Sequence, residues 1–289
     1  MPKISAHEHF RVGGNIEEYL KAAKLLNIEK AIFLPTDWPP ANPKYKENMN
    51  ELLKIAKLYP EKIIPFATSY SCDPQAPEII ESALKNGARG IKFIDWLYSP
   101  KTKVCPINSE NMYKVYEIAR KYKVPVLLHI DFQKKPEWKY QFETVALDFP
   151  EVTFILAHYC RSASLKNPQL ELCAETLDKF PNVYIDISMG GGLKRYMRYF
   201  DENPELWRNF ILKYQDRILW GTDMILDNED FKNAEWIYKR ILADLLILSQ
   251  EKYQSPFYQE DKTFHNGLNL PKDVLKKILH LNPKKILNI

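Results

Sequence analysis

An eight-stranded α/β barrel of the (β/α)8 type, built as one domain over residues 1–289, is the fold class that the sequence predicts, and three observations predict it. Eight short apolar runs recur along the chain. Their starts are separated by 28, 32, 27, 34, 28, 30 and 35 residues. Most of the intervals hold a segment with helical apolar spacing. Strand and helix alternating at that period require parallel strands joined by right-handed crossovers, and eight such units close into a barrel. An open doubly wound sheet is the structural alternative, but no glycine-rich phosphate loop follows the first run.

In order, the runs are 3–9 (KISAHEH), 31–37 (AIFLPTD), 63–71 (IIPFATSYS), 90–96 (GIKFIDW), 124–131 (VPVLLHID), 152–159 (VTFILAHY), 182–188 (NVYIDIS) and 217–223 (RILWGTD). Each is rich in Val, Ile or Phe and reads as a buried strand. Helices are read between them at 16–27, 48–59, 76–87 and 109–122, where apolar residues recur at three- and four-residue steps. The proline-rich stretches at 35–43 and after Asp131 read as loops of the active face, and no internal boundary is evident.

Composition narrows the function class. A chain with 45% hydrophobic and 27% charged residues is ordinary for a soluble globular protein. No apolar segment approaches the ~20 residues that span a bilayer, and MPKISAHEHF does not resemble a secretion signal, so no membrane role and a cytoplasmic location are expected. The 41 basic and 37 acidic residues are scattered, without the clustered stripe that nucleic-acid binding needs. A small, carboxylated substrate is compatible with the net charge of +4, and so is a homo-oligomer. Cys72, Cys105, Cys160 and Cys173 form no CxxC pair and read as reduced thiols near the core. Abundant Lys, Glu, Ile and Pro with only 9 Gly hint at a thermophilic source.

Groups that can chelate a metal stand at the C-terminal ends of the strands, the face on which barrel active sites are built. The first strand ends His7-Glu8-His9. Side chains two apart share a face, so both imidazoles can enter the barrel mouth and share one ion, while Glu8 points to the helical layer. His129 closes PVLLH, His158 closes FILAH and Asp223 closes ILWGTD. A lone strand histidine is more often a hydrogen-bonded core residue than a ligand, and HxH by itself is a weak pattern. Four of eight strands ending in such groups reverses that preference.

With these residues in place, the sequence resembles the amidohydrolase superfamily nearly end to end: HxH on strand 1, His ending strands 5 and 6, and Gly-Thr-Asp ending strand 8. The tail GLNLPKDVLKKILHLNPKKIL is similar to the ending of the branch that contains aminocarboxymuconate semialdehyde decarboxylase, resorcylate decarboxylases and several lactonases. The resemblance implies one divalent metal, zinc above manganese or iron, bound by His7, His9, His129 and Asp223. It implies that His158 polarises substrate or acts as a base, with Asp223 as ligand and proton acceptor. Three nitrogens and one oxygen with a position left for water is also what a catalytic zinc site requires.

The sequence departs from the family pattern in two places. Ser5 stands where a carboxylate usually precedes the first histidine, and AHYCRS lacks the usual glycine-rich turn. Lys92 occupies the position at which binuclear members carry a carboxylated lysine; here it reads as a substrate contact or the partner of a carboxylate. Arg161 could anchor a substrate carboxylate or brace its loop. Trp96 and Trp38 could wall the pocket or pack in the core. Asp186 could line the mouth or orient a ligand histidine, and the run Gly190 to Gly192 could bind an anion or simply flex. His265 and His280 read as surface or packing residues.

The expected function is hydrolysis of a small ester, lactone or amide by metal-activated water. Non-oxidative decarboxylation of an unsaturated or aromatic acid is the alternative, and a catalytically inactive binding protein is the third reading.

Overall fold

The structure, a computed structural model, describes residues 1–36, 44–94, 96, 104–160, 169–188, 193–258, 260 and 262–289. Its strands are β1 (Lys3–Phe10), β2 (Ile28–Pro35), β3 (Ile63–Pro65), β4 (Ala67–Thr68), β5 (Ile91–Phe93), β6 (Val126–Leu128), β7 (Phe154–Leu156), β8 (Val183–Asp186), β9 (Ile218–Leu219) and β10 (Ile225–Leu226), all paired in parallel. They form two arcs, β10-β1-β2-β3 and β4-β5-β6-β7-β8-β9.

The two arcs are one barrel, because the third predicted strand is split in two and the eighth resumes as β10 just beyond its predicted end. β3 and β4 are separated only by Phe66, whose N–H still donates to Phe33 O at 3.0 Å. β9 pairs with β8, β10 pairs with β1, and Ala6 N donates to Trp220 O between them at 2.7 Å. The first two predicted strands are present at Lys3–Phe10 and Ile28–Pro35, slightly longer than expected, and the later ones are shorter. Single ladder bonds, such as His129 N to Phe93 O and Ala157 N to Leu128 O, both at 3.0 Å, carry them to the mouth.

Crossover helices α1 (Ile16–Leu25), α2 (Lys44–Leu58), α3 (Ala76–Lys85), α4 (Glu110–Tyr122), α5 (Pro136–Asp148) and α6 (Leu170–Lys179) follow the strands in turn. Helices α7 (Leu193–Glu202) and α8 (Pro204–Tyr214) both follow β8, and α9 (Ala234–Ser249) follows β10. Asn15, Asn203 and Asn233 each cap the helix they precede. Glu18 of α1 accepts from Ala234 N of α9 at 2.7 Å, so the outer ring closes where the strands do.

Inward residues, among them Ala6, Ile32, Leu34, Phe66, Leu127, Ile155 and Leu219, fill the barrel above Ile286 and Leu287 of α10 (Asn282–Leu287). A larger apolar layer lies between strands and helices. A short antiparallel hairpin of β11 (Lys252–Tyr253) and β12 (His265–Asn266) was not expected. It packs on α7, where His265 Nδ1 lies 3.1 Å from Asp201. No helix among the described residues is long and apolar enough to cross a membrane.

The cysteines correct the sequence reading. Cys72 is bonded to Cys105, and Cys160 to Cys173, with Cα separations of 5.2 and 5.7 Å. The barrel makes the pairs: Cys72 and Cys105 follow the adjacent strands β4 and β5, while Cys160 follows β7 and Cys173 lies on the next helix, α6. Spacing along the chain, 33 and 13 residues, carries no signal of either pairing. A reducing compartment inferred from free thiols loses its basis.

Candidate functional site

β1 brings the first histidines to the mouth by an irregularity. Its pairing with β2 slips by one residue between Ser5 and Glu8. This bulge puts Ser5 and Glu8 on the same, helix-facing side, where Ser5 Oγ donates to Glu8 Oε1 at 2.5 Å. Beyond it alternation resumes, and His7 and His9 turn inward with Nε2 atoms 3.2 Å apart.

The eighth strand supplies the carboxylate. Gly221 lies against β1 so closely that a Cβ there would sit 2.6 Å from His7 N and Cβ. Asp223 N donates to His7 O at 2.8 Å. Asp223 has φ of 54°, in the left-handed region that non-glycine residues seldom occupy. Its carboxylate reaches both imidazoles, with Oδ1 3.2 Å from His7 Nε2 and 2.8 Å from His9 Nε2.

These three donor atoms make a triangle with edges of 2.8 to 3.2 Å. Ligands held ~2.0–2.1 Å from a tetrahedral ion lie roughly 3.3 Å apart, so the triangle is close to one face of such a site. The residues present therefore fit a divalent cation.

Asp186, at the end of β8, fixes the tautomer of His7. Its Oδ2 accepts from Nδ1 at 2.8 Å, leaving the Nε2 lone pair directed at the cluster. Oδ1 accepts from Ser188 Oγ at 2.5 Å, Ser188 N at 3.0 Å and His158 N at 3.3 Å. Burial alone would raise the Asp186 pKa, but His7, His158 and Ser188 together hold it well below the carboxylate range. Burial also opposes charge on His7, yet Asp186 and Asp223 outweigh it and move His7 upward. Burial pushes His9 down to about 4 despite Asp223, so its ring is neutral at neutral pH, the form that can ligate a metal. For Asp223 burial is again outweighed, by His158, His7 and His9, and its carboxyl lies well below the ordinary range.

His158 opens a run of three left-handed residues with Tyr159 and Cys160, at φ of 56°, 53° and 55°. Its Nδ1 donates to Ser188 O at 2.9 Å, and its Nε2 lies 3.7 Å from Asp223 Oδ2. His129 meets His158 edge-on, with ring centroids 4.6 Å apart. Among the described residues the metal-compatible groups are His7–His9–Asp223 and His7–His158–Asp186, so His129 stands beside them and not within either.

Lys92 on β5 is buried, and its charge opposes a proton on His7, where the two aspartates outweigh it, and adds to the effect of burial on His9. Trp96 is fully buried against Phe93, and its indole N–H donates to Cys105 O at 3.0 Å. Arg161, Trp38 and the run Gly190 to Gly192 lie outside the described residues. His280 pairs with Glu29, Nδ1 to Oε1 3.4 Å, and like His265 joins neither ligand group.

Two residues were missed in the sequence. Ser188 is two positions after Asp186, the spacing that shares a strand face, which was signal enough to find it. Arg11 is two positions after His9. Its N–H continues the ladder to Leu226 O at 2.9 Å, so alternation puts it on the side of His7 and His9. Its Nε is buried, and no hydrogen bond or ion pair to its guanidinium occurs among the described residues.

Comparison with known proteins adds the following. A family profile described as amidohydrolase matches residues 4–289. A probable 2-pyrone-4,6-dicarboxylic acid hydrolase from Acinetobacter baumannii, solved with citric acid bound, matches over 100% of both chains with a TM-score of 0.67 and 14% identity. An amidohydrolase from Burkholderia multivorans with bound zinc covers 100% of both chains at 0.64 and 8%. A 2,6-dihydroxybenzoate decarboxylase from Rhizobium covers 100% of this chain and 99% of its own at 0.57 and 15%. At these identities the likenesses concern the fold. No functionally curated protein matches the chain.

Proposed function

Because the chain belongs to the amidohydrolase family, we propose that it is a metal-dependent hydrolase of a small ester, lactone or amide that carries a carboxylate. The observation that carries this reading is the triangle of His7 Nε2, His9 Nε2 and Asp223 Oδ1. We assign His7, His9 and Asp223 as ligands, with His129 as the fourth, and zinc as the ion on the strength of the nitrogen-rich donor set. When bound, the ion supplies a Lewis acid for the substrate carbonyl and activates water at neutral pH.

The chain's own groups do the rest. Asp223 accepts the proton released on attack, because its second oxygen, Oδ2, faces His158 Nε2 and can pass the proton on. His158, held through Nδ1 by Ser188, presents Nε2 to substrate or leaving group. Arg11 and Lys92 put positive charge around the mouth, which suits a carboxylated substrate. Arg161 is a further anchor in this proposal.

The test is a screen of lactones, amides and carboxylated aromatics with zinc- and manganese-loaded protein. Ring opening or amide cleavage without carbon dioxide supports hydrolysis. Carbon dioxide release from an aromatic acid would favour the decarboxylase reading, which uses the same ligands. No turnover, with no effect of metal on stability, would favour a binding protein.

A further inference from the structure

On the helix side of the barrel wall, directly behind the ligand cluster, a second polar group interrupts an otherwise apolar interface. Ser5, Glu8, Thr222, Arg240 and Asp244 are all buried. Glu8 lies between the two β1 histidines in sequence and faces away from them. It accepts from Ser5 Oγ and from Thr222 Oγ1. Thr222 Oγ1 in turn accepts from Met224 N at 3.2 Å. Arg240 of α9 donates through Nη2 to Thr222 O at 3.0 Å, and its Nη1 pairs with Asp244 Oδ1 at 2.6 Å.

The peptide unit joining Thr222 to Asp223 is therefore held at both ends: Arg240 takes its carbonyl, and His7 O takes the Asp223 N–H at 2.8 Å. A left-handed aspartate is strained and persists only where its surroundings over-determine it. A buried carboxylate and a buried ion pair are also costly ways to stabilise a barrel wall that apolar side chains would fill as well. Both costs fall on the one turn that aims a ligand.

We propose that Glu8, Thr222 and Arg240 are positioning residues: from the outer side of the barrel wall they lock the turn at Asp223 and so set the aim of its carboxylate at His7 and His9. This rests on reading Asp223 as a metal ligand. Ordering the carboxylate before the ion arrives lowers the entropy lost on binding and fixes which oxygen is left to accept a proton.

The experiment is a double-mutant cycle on zinc affinity, measured by chelator competition on metal-stripped protein whose fold is checked by circular dichroism. Thr222→Val is nearly isosteric and removes both hydroxyl contacts; Arg240→Met removes the carbonyl donor. Each should lower zinc affinity ~10-fold or more and lower kcat with little change in KM. Thr222→Ser and Arg240→Lys, which keep a donor, should recover most of both. With Asp223→Ala in the background, Thr222→Val should cost no further affinity.

Variants that lose thermal stability but bind zinc as the unmodified protein does would overturn the positioning role and leave the metal site standing. If Thr222→Val does not fold, Arg240→Met and its lysine rescue are read by the same criteria, and an unchanged affinity there has the same meaning. If the unmodified protein binds no zinc, or Asp223→Ala binds it equally well, the metal-site reading itself fails.

Discussion

Asp186 accepts a hydrogen bond from Nδ1 of His7 at 2.8 Å, so the ring is committed to presenting Nε2 to His9 and Asp223. Replacing Asp186 by Asn removes the charge and allows the ring to take the other tautomer. Metal affinity should fall 10- to 100-fold, the usual scale for a residue that orients a ligand. Chelator competition measures this, and an unchanged affinity would mean that Ser188 alone suffices to orient the ring.

Gly221 predicts a steric effect at the same place. Its substitution by Ala sets a methyl 2.6 Å from the His7 backbone, which must separate β1 from the eighth strand. A stability loss of about 1–3 kcal/mol with weakened metal binding is expected from chemical unfolding and titration. A variant indistinguishable from the parent would show that the strands are farther apart in solution.

Glu8 predicts a pH dependence. Burial raises its pKa from 4.5 to about 7, against the hydrogen bonds from Ser5 and Thr222. A carboxyl whose pKa is raised by folding contributes stability that is complete below the unfolded value and is lost as pH rises through the folded value. Glu8→Gln abolishes that loss. In metal-stripped protein its unfolding free energy should match the parent near pH 4 and exceed it at pH 8, by an amount bounded by ~3 kcal/mol. A difference that does not change with pH would show that Glu8 ionises normally.

Much of this was legible in the sequence because it is local. Helical spacing located α1 to α4 to within a few residues, and the strand ends His7, His9, His158 and Asp223 converge in the structure. What was not legible depends on register and on contacts distant in the chain. The slip between Ser5 and Glu8 cannot be seen in KISAHEH, and without it Ser5 would share a face with His7. Nor does the sequence show that the Trp96 N–H meets the Cys105 carbonyl, nine residues further along the chain. Neither disulfide was foreseen, since each pair of cysteines is brought together by the crossovers.

The disulfides themselves predict a measurable stabilisation. Closing loops of 33 and 13 residues should contribute about 4 and 3 kcal/mol by restricting the unfolded chain. Reductant or paired Cys→Ser substitution should lower the unfolding midpoint accordingly, and peptide mapping under non-reducing conditions identifies the pairs. Persistence of four alkylatable thiols in native, unreduced protein would contradict the pairing.

The most direct measurement is the metal content of the purified protein, read together with turnover of the unmodified chain, His9→Ala and Asp223→Asn. The site predicts about one tightly bound divalent ion per chain, its loss in His9→Ala, and its retention in Asp223→Asn with turnover reduced ~100-fold or more. Full turnover by metal-free protein, or an ion that stays bound in His9→Ala, would contradict it.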